Sequence, residues 1–262
     1  MKLFIIALFL NINLFAIDQI IIAGTGSSQK LLKILGAEFE KDNPNTNIII
    51  PNTIGSGGGI KNTALGKSDL GRVARDIKES EKKYKLDYLL FAYSPVVFVT
   101  NKSVQNLKSL TKRQLVDIYS GKIKKWEELG AKSGKIYVAS REVGDSSRDI
   151  IDSNIKSFAS IQNPVGEMLF SVPEMLNVMT KYENTIGYMS YSQAISTDLN
   201  IINIEGIEPS NENIQKGSYQ LYGKLGIVYY KDKINSLSKR FLEFLQSPKA
   251  KKIINEQGAI AK

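Results

Sequence analysis

Apolar positions recur along this chain at two alternating periods. Residues 17–23 read as a buried strand. Leu31, Leu32, Leu35 and Phe39 then recur at helical spacing, with Pro44 just beyond the helix end. Residues 48–50 predict a second strand, and residues 60–65 a short helix stopped by Gly66. Residues 95–100 read as a β-branched strand. Residues 110–119 read as a helix, in which Thr111 and Gln114 have the spacing of a capping box. Further strands are predicted over 136–139, 186–189 and 225–230, and a helix over 147–158. An amphipathic helical segment over 236–256 is interrupted by Pro248. This alternation predicts an α/β fold with a largely parallel sheet.

Three of the strand-to-helix connections share one composition: Gly26-Ser27-Ser28, Gly55-Ser56-Gly57-Gly58-Gly59 and Gly144-Asp145-Ser146-Ser147. A helix start carries unpaired N–H groups and a partial positive charge, glycine lets an anion approach the backbone, and a serine hydroxyl adds a donor. Each turn therefore reads either as an anion cradle or as an ordinary helix N-cap. The spacing is not that of a P-loop, and there is no Rossmann fingerprint.

Composition narrows the chemistry. The 262 residues include no histidine and no cysteine. Imidazole acid–base catalysis, thiolate nucleophiles, disulfides and a lipid-anchor cysteine are excluded, and no carboxylate cluster has metal-ligand spacing. We expect no catalytic residues, no metal and no cofactor. The formal net charge of +9 favours an anionic partner, although the lysines are scattered rather than blocked, and a nucleic-acid partner is not expected. Met1-Lys2, the apolar residues 3–10 and Leu14-Phe15-Ala16 read as a signal peptide cut near Ala16; a buried first strand or a short anchor is the alternative.

The segment Ile118-Tyr119-Ser120-Gly121-Lys122-Ile123-Lys124-Lys125-Trp126 resembles the "I-Y-x-G-K-I-x-x-W" signature of the periplasmic phosphate-binding proteins, the Pst-type solute-binding proteins of bacterial phosphate ABC transporters. Gly55 to Lys61 looks like that family's "G-S-x-G-G" turn, Gly187-Tyr188 like its "I-G-Y" strand, and residues 242–258 are similar to its C-terminal helices. The resemblance implies a two-lobed, type II periplasmic-binding-protein-like fold, each lobe a mixed, mostly parallel sheet flanked by helices, joined by two crossover strands. Residues 1–16 would be the leader, 17–96 plus 223–262 the first lobe, and 97–222 the second. It implies a monomer that binds inorganic phosphate in the cleft, without catalysis, and delivers it to permease subunits of an ABC transporter in the inner membrane.

The resemblance also implies phosphate contacts from Ser28, the Gln29 backbone, Ser56, Arg141, Ser146 and Ser147. Arg141 suits bidentate contact with phosphate oxygens, and its alternative is a surface salt bridge with Glu142 or Asp145. Arg75 matches the arginine of the family's "S-R" pair and belongs either to the cleft or to the surface. Trp126 reads as a packing residue. Two departures stand out: Asp145 lies in a turn that usually reads "G-S-G-T", and Ala74 precedes Arg75 where serine is usual. Asp145 either accepts the hydrogen bond of protonated phosphate or faces outward and pairs with Arg148. The competing functions are a sulfate or molybdate binder, an exported hydrolase on the same scaffold, and a surface-interaction protein.

Overall fold

A computed structural model describes residues 18–132 and 134–262; the leader expected over 1–16, and Ile17, lie outside the described residues. The first half of the sequence forms β1 (Asp18–Gly24), α1 (Gln29–Asp42), β2 (Thr46–Ile49), α2 (Gly55–Ala64), β3 (Leu70–Val73), β4 (Asp87–Thr100), β5 (Ser109–Leu110) and α3 (Lys112–Tyr119). Next come β6 (Tyr137–Arg141), α4 (Ser146–Asn154), α5 (Lys156–Ala159), β7 (Glu167–Leu169), α6 (Val172–Lys181), β8 (Thr185–Ser190), α7 (Tyr191–Ala194) and β9 (Asn200–Ile204). The chain ends with α8 (Asn211–Gln215), β10 (Tyr222–Tyr229), α9 (Ser236–Leu245), α10 (Pro248–Glu256) and β11 (Ile260–Ala261).

Eight strands form one path in the order β2-β1-β3-β10-β4-β8-β6-β7, with β9 and β11 pairing β4 from outside it and β5 pairing β9. β1 pairs in parallel with β2 and β3, and β6 with β7 and β8. Every antiparallel pairing between these strands, among the described residues, involves β4 or β10. These two strands carry the chain between two packed regions. One core gathers Ile20, Ile22, Leu32, Leu35, Phe39, Leu225, Phe241 and Leu245. The other gathers Phe98, Leu115, Tyr119, Trp126, Phe158, Ile186 and Tyr188. β4 contributes Phe91 and Ala92 to the first and Val96 and Phe98 to the second, so the change of core falls at Tyr93–Pro95.

Local sequence explains most element ends. Thr111 Oγ1 accepts the Gln114 N–H at 3.0 Å, and Gln114 Oε1 accepts the Thr111 N–H at 2.8 Å, closing the capping box. Pro248 does more than interrupt: it is the first residue of α10, where its missing N–H costs nothing, and Ser247 caps that helix. The helix expected over 147–158 is broken at Ile155 (φ −127°, ψ 82°), after Ser153 and Asn154, whose side chains donate to the backbone carbonyls of Asp149 and Ile150. Trp126 packs wholly within the second core, and its Nε1 donates to Asn184 O at 3.0 Å. No helix among the described residues is long and apolar enough to cross a membrane.

Candidate functional site

The three Ser/Gly turns sit at strand ends, and each meets its helix differently. After β1 the backbone passes so close to β3 that a Cβ on Gly24 (φ +141°) would lie 2.0 Å from Arg72 O. Only glycine fits there. Thr25 N–H then donates to Arg72 O at 3.0 Å, and the Gln29 amide closes the turn onto Gly26 O at 3.0 Å. Ser28, the N-cap of α1, makes no side-chain cap bond. It is fully buried, and its Oγ has no hydrogen-bond partner. The backbone donor expected at Gln29 is thus engaged locally, and the unsatisfied group of this turn is the Ser28 hydroxyl.

The second turn is not a turn ahead of a helix. α2 begins at Gly55, five residues before the start expected from Ile60, so the glycine run forms the helix's own first turns. Close packing explains why glycines are tolerated there. A Cβ on Gly59 would lie 2.8 Å from Gly24 Cα and 3.0 Å from Ala23 O. Ile54 N–H donates to Gly24 O at 3.0 Å, tying this turn to the first. Ser56 Oγ accepts the Ala74 N–H at 3.1 Å, which leaves its proton free to donate outward. Arg75 lies beside this turn, its guanidinium forked onto Glu81 through Nη1 and Nη2, both at 2.8 Å. The Arg75 hydrogen bonds hold the Glu81 carboxyl below the usual carboxylate range despite burial.

In the third turn an internal carboxylate takes the helix start. Asp145 caps α4: its Oδ1 accepts the N–H groups of Ser147 at 3.0 Å and Arg148 at 3.1 Å. Its Oδ2 meets Arg141 Nη2 at 3.1 Å. Asp145 therefore does not face outward to pair with the Arg148 guanidinium, which is held by Asp152 at 2.8 Å instead. Arg141 is buried at 8% exposure, so its ion pairs with Glu142 and Asp145 are not the surface bridge considered as the alternative. Its Nε also donates to Leu169 O at 3.0 Å, and its backbone N–H to Tyr188 Oη at 2.8 Å. Burial opposes its charge, but Glu142 and Asp145 outweigh this and raise its pKa; Glu142 is lowered in turn, first by the Arg141 hydrogen bond. Burial, with the nearby charges of Asp145 and Asp152, raises Asp149.

The fold brings the first and third turns into contact across the two cores: Ser27 Oγ donates to Ser146 Oγ at 3.4 Å. Ser28, Ser56, Arg75, Arg141, Asp145, Ser146 and Ser147 thus line three linked turns, with Gln29 at the base of the first. The residues that sequence reasoning did not assign to this site are Arg72, Glu81, Ser27 and Tyr188. Glu81 and Arg72 carry no local spacing signal. Ser27 stands in the first Ser/Gly turn, and Tyr188 in the Gly187-Tyr188 pair. Among the described residues no group of acidic side chains could hold a metal ion. The arrangement offers hydroxyl donors and a buried arginine paired with two carboxylates, Glu142 and Asp145, a set able to hold a tetrahedral oxyanion that keeps a proton.

Comparison with known proteins agrees in architecture over nearly the whole chain. A family model, the PBP superfamily domain, matches residues 14–249. The phosphate-binding protein PstS of Bacillus subtilis is 26% identical over 250 residues, covering 94% of this chain and 81% of that protein. A Clostridium perfringens structure with bound phosphate, provisionally assigned as a phosphate ABC transporter substrate-binding protein, superposes with a TM-score of 0.78. It is 30% identical and covers 94% of this chain and 100% of its own. An ABC-type phosphate transport receptor from Vibrio cholerae gives a TM-score of 0.73 at 27% identity, over 93% of this chain and 99% of its own.

Proposed function

The chain belongs to the PBP superfamily, among the substrate-binding proteins of phosphate ABC transporters, and from that membership we propose that it captures inorganic phosphate between its three Ser/Gly turns for an ABC transporter. The observation that carries the site assignment is the buried Ser28 hydroxyl, which has no partner at the start of α1. A hydroxyl left unsatisfied costs about 1–3 kcal/mol, and a bound oxyanion is the acceptor that removes this penalty.

In this reading the two cores are lobes, 17–96 plus 223–262 and 97–222, that close on the anion, with Ser27 and Ser146 meeting as the lobes approach. Ser28 and Ser56 donate hydroxyl protons, the Ser146 and Ser147 hydroxyls face them from the second lobe, and Arg141 supplies charge. Asp145 uses about three of its roughly four acceptor positions on Ser147, Arg148 and Arg141. The remaining position takes the proton that phosphate keeps near neutral pH. Fully ionised sulfate has no such proton, and the same carboxylate repels it. Arg75, neutralised by Glu81, orients the second turn. The monomeric protein is exported, its leader removed near Ala16, and docks on the permease subunits without turning over its ligand.

Isothermal titration of the mature chain against phosphate, sulfate and molybdate tests this. One phosphate per chain, bound at least ~10-fold more tightly than sulfate or molybdate, is the expected result. Stronger binding of sulfate or molybdate, or release of phosphate from an added phosphomonoester, contradicts it.

A further inference from the structure

Arg72 is a buried charge that the scheme above does not use. It lies in β3 and is fully buried. Backbone carbonyls alone hold its guanidinium: Nε donates to Thr25 O at 2.6 Å, Nη2 to Pro51 O at 2.7 Å, and Nη1 to Ile22 O. Among the described residues the arginines in ion pairs are Arg75, Arg113, Arg141 and Arg148, and Arg72 is not one of them. A guanidinium does not shed its proton in a protein. Carbonyls solvate such a charge without neutralising it, and a buried charge without a counter-charge is unfavourable.

The positions of the three carbonyls matter. Ile22 lies in β1, Thr25 opens the first Ser/Gly turn, and Pro51 starts the segment that leads to the second. Arg72 also accepts the Thr25 N–H on its own carbonyl at 3.0 Å. One side chain thus braces the bases of both turns of the first core. The ion pairs elsewhere at the turns carry one surplus negative charge. Arg75 faces Glu81, Arg148 faces Asp152, and Arg141 faces two carboxylates, Glu142 and Asp145.

We propose that Arg72 is a specificity-determining and positioning residue of the anion site: it supplies a positive charge, paired with no side chain of its own, that offsets the surplus carboxylate at the turns, and it holds the first and second turns in register for an oxyanion. This rests on the oxyanion reading above. Without Arg72 the ion-paired groups at the turns carry one net negative charge; Arg72 cancels it, so that an oxyanion does not enter a net negative site, and its burial keeps it out of reach of solvent counter-ions.

The test is isothermal titration of inorganic phosphate into the full mature chain as wild type, R72K and R72Q, with circular dichroism to establish folding. R72K keeps the charge but loses the three-way fork, whereas R72Q loses the charge. We expect R72K about fivefold weaker than wild type, because the charge is kept but the fork is lost, and R72Q about 30-fold weaker, because both are lost. In wild-type protein the Arg72 Nε–H resonance shifts on phosphate addition and saturates with the titration; if R72Q does not fold, this measurement decides. R72Q binding like wild type, a folded R72K as weak as R72Q, or an Nε–H resonance unmoved at saturation overturns the inference. Wild-type protein that binds none of phosphate, sulfate and molybdate overturns the oxyanion reading and this inference together. Wild-type binding with an unimpaired R72Q overturns this inference alone.

Discussion

At the scale of single residues, two side chains at the turns have opposite problems. Ser28 is a donor with no acceptor, and Asp145 is an anion at a site read as taking anions. Ser28→Ala removes a group that is unsatisfied without ligand, so the ligand-free variant should melt at or above the wild-type temperature. Its phosphate affinity should fall about 10-fold or more, since hydrogen bonds to charged groups are worth about 1.5–3 kcal/mol. Calorimetric melting and titration read both effects; a variant that is less stable yet binds normally would show that Ser28 is only a packing residue. Asp145→Asn keeps a competent N-cap but removes the charge next to Arg141. Phosphate affinity should drop about 10-fold and sulfate affinity should rise, narrowing the preference between them. Unchanged values for both anions would end the proton-acceptor role of Asp145.

At the scale of elements, what was legible in the sequence follows physical locality. The Thr111–Gln114 box, the strand at 95–100 and the first and third Ser/Gly turns depend on neighbours in the chain, and each stands where its local pattern placed it. α2 was misjudged at its start because five residues of mostly glycine read as a loop. Their helical conformation is set by contact with β1, which the sequence does not display. β4 runs from Asp87, eight residues before its expected start, because β10 pairs with that extension from Tyr229 to Tyr222. The Ser27–Ser146 contact joins residues 119 apart, and Arg72 has acceptors 21, 47 and 50 residues away. No short pattern could have revealed these pairings. The packing of α2 makes a direct prediction. Gly59→Ala places a methyl against the backbone of Gly24 and Ala23, where nothing can rotate aside. We expect a loss of about 1–3 kcal/mol in urea unfolding with the helix content retained. A neutral or stabilising effect would show that the α2–β1 approach is looser than 2.8 Å.

At the scale of the whole molecule, the paired carboxylates link stability to pH. Hydrogen bonds from Arg75 and Arg141 depress Glu81 and Glu142 in the folded state. A depressed folded value gives stability that is fully present above the unfolded glutamate pKa of about 4.3 and is lost as pH falls through the folded value. Melting temperature should therefore decline below about pH 4.3, and Glu81→Gln should flatten part of that decline. An identical acid profile for wild type and variant would contradict the Arg75–Glu81 contribution. Ligand binding acts on the same balance, because an anion held between two cores favours the closed, folded chain. Phosphate at about 100 times its Kd should add about 2.7 kcal/mol to stability at neutral pH.

The central claim is that phosphate is held where the three Ser/Gly turns meet, and a crystal structure grown with phosphate tests it most directly. The account predicts one tetrahedral anion within hydrogen-bond distance of the Ser28 hydroxyl and the Arg141 guanidinium, with the Asp145 carboxylate on its protonated oxygen. Phosphate bound away from these turns, or a Ser28 hydroxyl still without a partner when the ligand is bound, would contradict it.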